Sequence, residues 1–229
     1  IDFTNDEAAI EYLKEMKIAI PKQYLDMNLN SRVKEDFDKA IDTFKSNGAT
    51  IEVVDMNSLE NIIETYHILT NGEISSNMAR LDSLRYGHRT EEYEDFKEMF
   101  KKSRQEGFGD EVKRRIMIGA HILSLDLAED YYYKALKVRT LIKEDYEKVF
   151  KNFNMVLCPT VPVLPFKIED DMSPVEMYQA DLFTIPANMI GSPSISVPMP
   201  KVDGLSVGME LTGRRFKDSE IIKAALGFE

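Results

Sequence analysis

The chain is 229 residues long, 43% hydrophobic and 30% charged, a balance that supports a packed core and excludes a wholly disordered segment. Its formal net charge of −11 excludes a general nucleic-acid-coating role, since such domains are basic. The one cysteine excludes an internal disulfide framework and fits a reducing compartment, and no apolar run approaches the roughly 20 residues that span a bilayer.

Lys17-Ile18-Ala19-Ile20 before Pro21 reads as a short buried strand. Val33, Phe37, Ile41 and Phe44 then recur at helical spacing, with Asn30 or Ser31 as N-cap and Gly48 at C′. Thr50 to Val54 is a second strand, so strand, helix and strand make a parallel crossover unit. A helix is expected from about Leu59 to Tyr66, another around Ser76 to Leu84, and a third marked by Tyr93, Phe96, Met99 and Phe100. Gly107-Phe108-Gly109 breaks that third helix, and Asp110 opens the next, which runs to about Leu125.

The longest helix is expected over roughly Glu129 to Lys151, with Tyr132, Ala135, Val138 and Ile142 along one side. Met155-Val156-Leu157-Cys158 is apolar at every position, the pattern of a strand covered on both faces. Pro186 to Pro198 reads as a tight loop feeding a buried strand, Ser194 to Val197. That strand and Ser206 to Leu211 form a hairpin turning at Asp203-Gly204, and a last helix begins near Asp218. Helices interleaved with about five short apolar strands give an α/β architecture with a mixed, mostly buried sheet flanked by helices.

Chemistry is sparse. Cys158 ends a buried strand, where its residue type reads as core rather than as a nucleophile. Gly191-Ser192-Pro193-Ser194 fails as a nucleophile elbow, because proline follows the serine and leaves no N–H for an oxyanion. No metal-ligand spacing occurs around the three histidines, and no metal or cofactor is expected in this chain. Lys113-Arg114-Arg115 and Arg214-Arg215 read as a solvated helix face and a loop. Two polar features remain. Arg115 borders the apolar face of its helix, and Asp181 precedes Leu182-Phe183-Thr184-Ile185, where a carboxylate is costly unless partnered. An Arg and an Asp in one site suit a zwitterion, the guanidinium taking a carboxylate and the Asp an ammonium. Spacing alone favours a structural pair or two surface charges.

The run Pro186-Ala187-Asn188 to Pro198, preceded by Met177-Tyr178 and Asp181, resembles the C-terminal part of the amidase signature family. Glu73 to Asp82 with Arg85-Tyr86-Gly87, Gly107 to Ile116, Tyr131 to Ala135, Val138 to Ile142 and Cys158-Pro159-Thr160 narrow the resemblance to one branch. That branch comprises the A subunits of glutamyl-tRNA(Gln) amidotransferases. The resemblance runs from about Asp2 to Glu229 and implies one amidase-signature domain, 1–229, present only in its C-terminal portion. The family's Ser–Ser–Lys triad would lie before Ile1, so no catalytic residue is expected here. An opening Ile1 in place of Met agrees with a truncated polypeptide.

What the resemblance implies is a glutaminase that releases ammonia. A B subunit would use ATP and Mg to convert Glu-tRNA(Gln) to Gln-tRNA(Gln), a C subunit would clasp the two, and tRNA would be held mainly by B. Glutamine would be held by Tyr66, Arg115 for its α-carboxylate and Asp181 for its α-ammonium. The setting would be cytoplasmic, without membrane. The chain by itself would be inactive and would self-associate through surfaces its other half covers. Alternatives are another amidase-signature amidohydrolase and, from a different class, a catalytically dead interaction module.

Overall fold

The computed structural model describes residues 6–27, 29–170, 172–199 and 204–228. Helix α1 (Asp6–Leu13) leads to strand β1 (Lys17–Pro21), the short helix α2 (Lys22–Leu25), helix α3 (Ser31–Ser46) and strand β2 (Thr50–Val54). A 3-10 turn over Asn57–Asn61 opens α4 (Ile62–Met78), followed by α5 (Phe96–Gly107), α6 (Asp110–Ile122) and α7 (Tyr132–Asn152). Strand β3 (Met155–Pro159), helices α8 (Pro174–Ala180) and α9 (Ile185–Ile190), strands β4 (Ser194–Pro198) and β5 (Gly208–Gly213), and helix α10 (Asp218–Phe228) complete the chain. Two compact units result: Ile1–Ile63 with Arg139–Glu229, and Glu64–Val138.

The first unit is built on a five-stranded sheet of order β2-β1-β3-β5-β4. The parallel crossover expected of β1, α3 and β2 is present, Ile18 standing opposite Ile51. Strand β3 runs parallel to β1 and antiparallel to β5, which makes the sheet mixed, as expected. Helix α3 forms where its sequence asks for it. The Asn30 side chain accepts from the Arg32 N–H, Val33, Phe37 and Phe44 are buried, and Gly48 turns the exit at φ +97°.

One sheet face carries the apolar core. Ile18, Ile20, Met155, Leu157, Met209 and Leu211 pack there with Val33 and Phe37 of α3, Leu13 of α1, and Ile221 and Ala224 of α10. Burial of a side chain of this size contributes about 1.5–3 kcal/mol. Strand alternation sends Val156, Cys158, Glu210, Thr212, Ser194 and Ser196 to the opposite face. There Tyr24 meets Phe183 edge-on at 5.0 Å, and its hydroxyl lies 3.3 Å from that of Tyr146.

The second unit is helical. Asp95 caps α5 by accepting from the Glu98 N–H. Arg104 donates to the carbonyls of Met78 and Leu81 at 3.0 and 3.2 Å, so it caps the end of α4, while its guanidinium lies over Phe100 and Phe108. Helices α4 and α6 approach closely at Gly119, where a Cβ would sit 1.9 Å from the Asn71 carbonyl oxygen.

Several boundaries differ from the sequence reading. The two helices expected over 59–66 and 76–84 are one helix, α4, ending at Met78. Gly72 does not break it, because a Cβ there would stand 3.1 Å from the Tyr132 ring; the glycine makes room for packing. Beyond Met78 the Asp82 carboxylate accepts from Leu84 and Arg85 N–H groups and Ser83 takes φ +67°, so the chain turns instead of continuing as helix. Strand β4 is an edge strand, not a buried one: Ser194, Ser196 and Pro198 are exposed and only Val197 is fully buried. Its period-2 pattern places one face in the core and the other outside. Strand β5 lies two residues later than expected, since its register with β3 pairs Met155 with Gly213. The hairpin partners are as expected; Asp203 of the expected turn lies outside the described residues. The short helices α1 and α2 carried too few periodic positions to be read.

Candidate substrate-binding site

Pro186 and Gly191 shape the polar end of the sheet unit. Helix α9 begins with Pro186 in its first turn, where the missing N–H costs nothing, and ends at Gly191 in the left-handed region, φ +68°. That turn reverses the chain into β4. Between α9, the Gly191 turn and the outer face of β4 and β5 lies a cavity of about 430 Å³, lined by Thr184, Asn188, Ser192, Ser194, Ser196 and Glu210 among others.

Its hydroxyls are mutually bonded. Thr160 and Ser196 hydroxyls meet at 2.7 Å, and the Thr212 hydroxyl lies 3.4 Å from that of Ser194 and 3.3 Å from a Glu210 carboxylate oxygen. Gly208 leaves space for the first pair, since a Cβ there would fall 2.8 Å from the Ser196 oxygen. Glu210 is 4% exposed. Burial pushes its carboxyl above the usual range, partly offset by hydrogen bonds from Ser194 and Thr212. A cavity of this size, with hydroxyls that donate and accept, suits a small polar group.

Glu210, Ser194, Ser196 and Thr160 are functional candidates that sequence reasoning missed. A signal existed: polar residues alternate in phase in Ser194-Ile195-Ser196 and in Glu210-Leu211-Thr212, which marks one shared polar face.

Asp181 closes α8 as its C-cap. The helix is short, without a buried residue, and is started by a capping box in which Ser173 and Glu176 satisfy each other's N–H groups. The Asp181 carbonyl accepts from Thr184 and Ile185 N–H groups, leading the chain into α9. Its side chain is exposed, so the burial cost expected from the neighbouring apolar residues is not incurred: Leu182, Phe183 and Ile185 point inward and Asp181 does not.

Tyr66 and Arg115 belong to the helical unit, on α4 and α6. Tyr66 is half-buried, its ring edge-on to that of His67 at 5.3 Å. Arg115 stands one turn before Gly119, the point where α6 meets α4, and its side chain is 24% exposed. Glu111 accepts from its Nε at 2.8 Å and also pairs with Arg114, so one carboxylate orients two guanidiniums. Asp181 lies in the sheet unit.

Cys158 is buried, and burial, with the nearby Glu210, raises its thiol well above the ordinary value. A thiolate is disfavoured there, so it acts as core. Among the described residues no group of three or more His, Cys, Asp or Glu side chains is placed to hold a metal, and no helix is long and apolar enough to cross a membrane.

A mixed five-stranded sheet flanked by helices, with a polar cavity where a Pro/Gly-framed helix enters the edge strand, defines an α/β scaffold with a small polar site. The Amidase family model matches residues 1–222, and the chain belongs to that family. Among its relatives, the A subunit of glutamyl-tRNA(Gln) amidotransferase from Latilactobacillus sakei is 44% identical over 218 residues, 95% of this chain and 45% of that protein. The corresponding A subunit from Halothermothrix orenii is 42% identical over 218 residues, 95% of this chain and 46% of that protein. The crystal structure of the Thermotoga maritima A subunit matches with TM-score 0.73 and 34% identity, over 96% of this chain and 43% of that one. A bacterial aryl acylamidase of the amidase signature family shares the fold, TM-score 0.73 at 21% identity, over all of this chain and 46% of that one. The chain thus spans about half the length of the curated relatives it matches.

Proposed function

We propose that this chain is the glutamine-recognising portion of the glutaminase component of a tRNA-dependent amidotransferase. The observation that carries the reading is the 44% identity to the A subunit of a glutamyl-tRNA(Gln) amidotransferase across 95% of the chain. In this reading Arg115 takes the α-carboxylate of glutamine in a fork, Asp181 takes the α-ammonium and the Tyr66 hydroxyl steadies the substrate. Glu111 holds the Arg115 Nε and so fixes the direction of the guanidinium. The exposed Asp181 keeps the hydration and reach of a surface carboxylate until substrate covers it.

Hydrolysis needs an activated nucleophile. The family's Ser–Ser–Lys segment has no counterpart in this sequence, and Ser194 and Ser196 bond to threonine hydroxyls rather than to a lysine. The chain alone is therefore a binding portion without chemistry. Ammonia released by the complete A subunit would pass to a B subunit, which would use ATP and Mg to amidate Glu-tRNA(Gln) and would hold most of the tRNA; a C subunit would clasp the two. The setting would be the cytoplasm. An isolated chain would self-associate, because β2 and β4 both stand at sheet edges.

The test is ammonia release from glutamine by the purified 229-residue chain beside a complete A subunit. The reading expects turnover from the complete protein and none from the chain. Turnover by the chain, abolished by substituting Cys158 or Ser194, would contradict it.

A further inference from the structure

Several basic side chains of the described residues pair with a carboxylate on the same helix. Lys39, Lys102, Lys113, Arg114, Arg115, Lys134, Lys148 and Lys217 each pair with a carboxylate three or four residues away. One cavity in the sheet unit gathers basic side chains. A cavity of about 290 Å³ lies between the second half of α7, the end of α9 and the segment after β5, and Lys143, Lys151, Arg214 and Arg215 all line it. Among the described residues Lys151, Arg214 and Arg215 have no carboxylate within ion-pair distance. Glu147, the acid lining the cavity, reaches Lys143 only at 3.7 Å. Cations gathered around one cavity repel one another unless an anion offsets them.

Both arginines are anchored by backbone. Arg214 donates a terminal N–H to the Phe153 carbonyl at 3.1 Å, and its buried Nε has no acceptor. Arg215 donates from Nε to the Gly191 carbonyl at 3.1 Å, which leaves its terminal nitrogens free to bind. Capping the end of α7 accounts for Arg214 and Lys151, but not for Arg215, Lys143 or the cavity. Beside Glu147 and Ser192, the rest of the wall is apolar and aromatic. Phe150 and Tyr146 lie with ring centroids 5.8 Å apart, and the Tyr146 hydroxyl is turned away to Tyr24, so the ring offers carbon.

We propose that this cavity binds an aromatic phosphate monoester, the phosphate between Arg215, Lys151 and Lys143 and the ring against Phe150. A phosphate dianion uses three cations where a carboxylate needs one, and guanidinium forks match its oxygens. A volume of about 290 Å³ takes one ring with its phosphate. This inference is independent of the amide reading and uses none of Tyr66, Arg115 or Asp181.

The experiment is calorimetric titration of the 229-residue chain with phenyl phosphate, phenol, inorganic phosphate and a tetraglutamate peptide, at low and high salt. Saturable binding of phenyl phosphate is expected, weakened about tenfold by Arg215→Gln or Lys151→Gln, both exposed, and weakened by salt. Phe150→Ala should weaken phenyl phosphate severalfold while leaving inorganic phosphate unchanged, which a merely unfolded variant would not do. Lys113→Gln, in the other unit, should change nothing. No saturable binding up to about 10 mM would overturn the proposal, since three cations and a ring should bind more tightly than that. So would phenol binding as tightly, inorganic phosphate binding as tightly, unaltered binding by Arg215→Gln, or tighter binding of tetraglutamate, which would make the surface a protein contact.

Discussion

At the residue scale, the buried Glu210 carboxyl makes the stability of the sheet unit depend on pH. Its carboxyl is buried on the polar face with Thr212 and Ser194 as partners, and burial raises its pKa in the folded state. The folded chain then holds a proton that the unfolded chain has lost. Stability contributed by this group is complete below the ordinary carboxylate value, about 4.3, and falls as pH rises through the higher folded value. Glu210→Gln keeps the shape and hydrogen bonding but cannot ionise. It should flatten the decline in thermal midpoint across that window and raise the midpoint at pH 7; an unchanged or steeper decline would show that Glu210 is not the group responsible. Polar residues of this face were legible only as alternation, because neither their strand register nor the edge position of β4 is written in local pattern. The burial expected of Asp181 is absent for a related reason: its apolar neighbours point inward while its own side chain does not.

At the element scale, α8 presents Asp181 and owes its start to one capping box. Loss of such a cap costs about 1 kcal/mol. Since α8 buries no residue, Ser173→Ala should loosen Asp181 and raise KM for glutamine about fivefold in the complete A subunit, with the thermal midpoint nearly unchanged. An unaltered KM would separate Asp181 from substrate. Glycine contacts make a second, structural prediction. Gly119→Ala drives a methyl to 1.9 Å from a backbone carbonyl that cannot yield, and should destabilise the helical unit by about 3 kcal/mol. Gly72→Ala meets a tyrosine ring at 3.1 Å, which can shift, and should cost less. Equal costs in hydrogen exchange of α4 and α6 would refute that ordering. Gly72 is visible in the sequence as a glycine within a helical pattern, but that Tyr132 fills the space beside it is not, since the contact spans distant positions.

At the scale of the whole molecule, the crossover of β1 and β2 and the all-apolar β3 were legible because periodicity and composition agree there. Strand β3 is buried on both faces by this chain itself, so the apolar surface expected along it is not exposed. What remains open are the edges, β2 with Val53 58% exposed and β4 with its serines. Association of the isolated chain should therefore be concentration-dependent and edge-mediated. Sedimentation should show a dimer at high concentration that a Val53→Lys substitution weakens, since charge blunts an edge strand; a strict monomer would contradict edge pairing. The roles proposed for Arg115 and Asp181 come only through resemblance: the two fall in different units, and no spacing rule joins residues so far apart in sequence.

The most direct test of the central claim is kcat/KM for glutamine in the complete A subunit carrying Arg115→Ala. Removing a charge-assisted contact worth roughly 1.5–3 kcal/mol should lower kcat/KM at least about tenfold. The thermal midpoint should hardly move, because the Glu111 pair lost with it is an i,i+4 pair worth about 0.3–0.5 kcal/mol. Unchanged glutamine kinetics with a large loss of stability would make Arg115 a structural ion-pair residue and contradict the account.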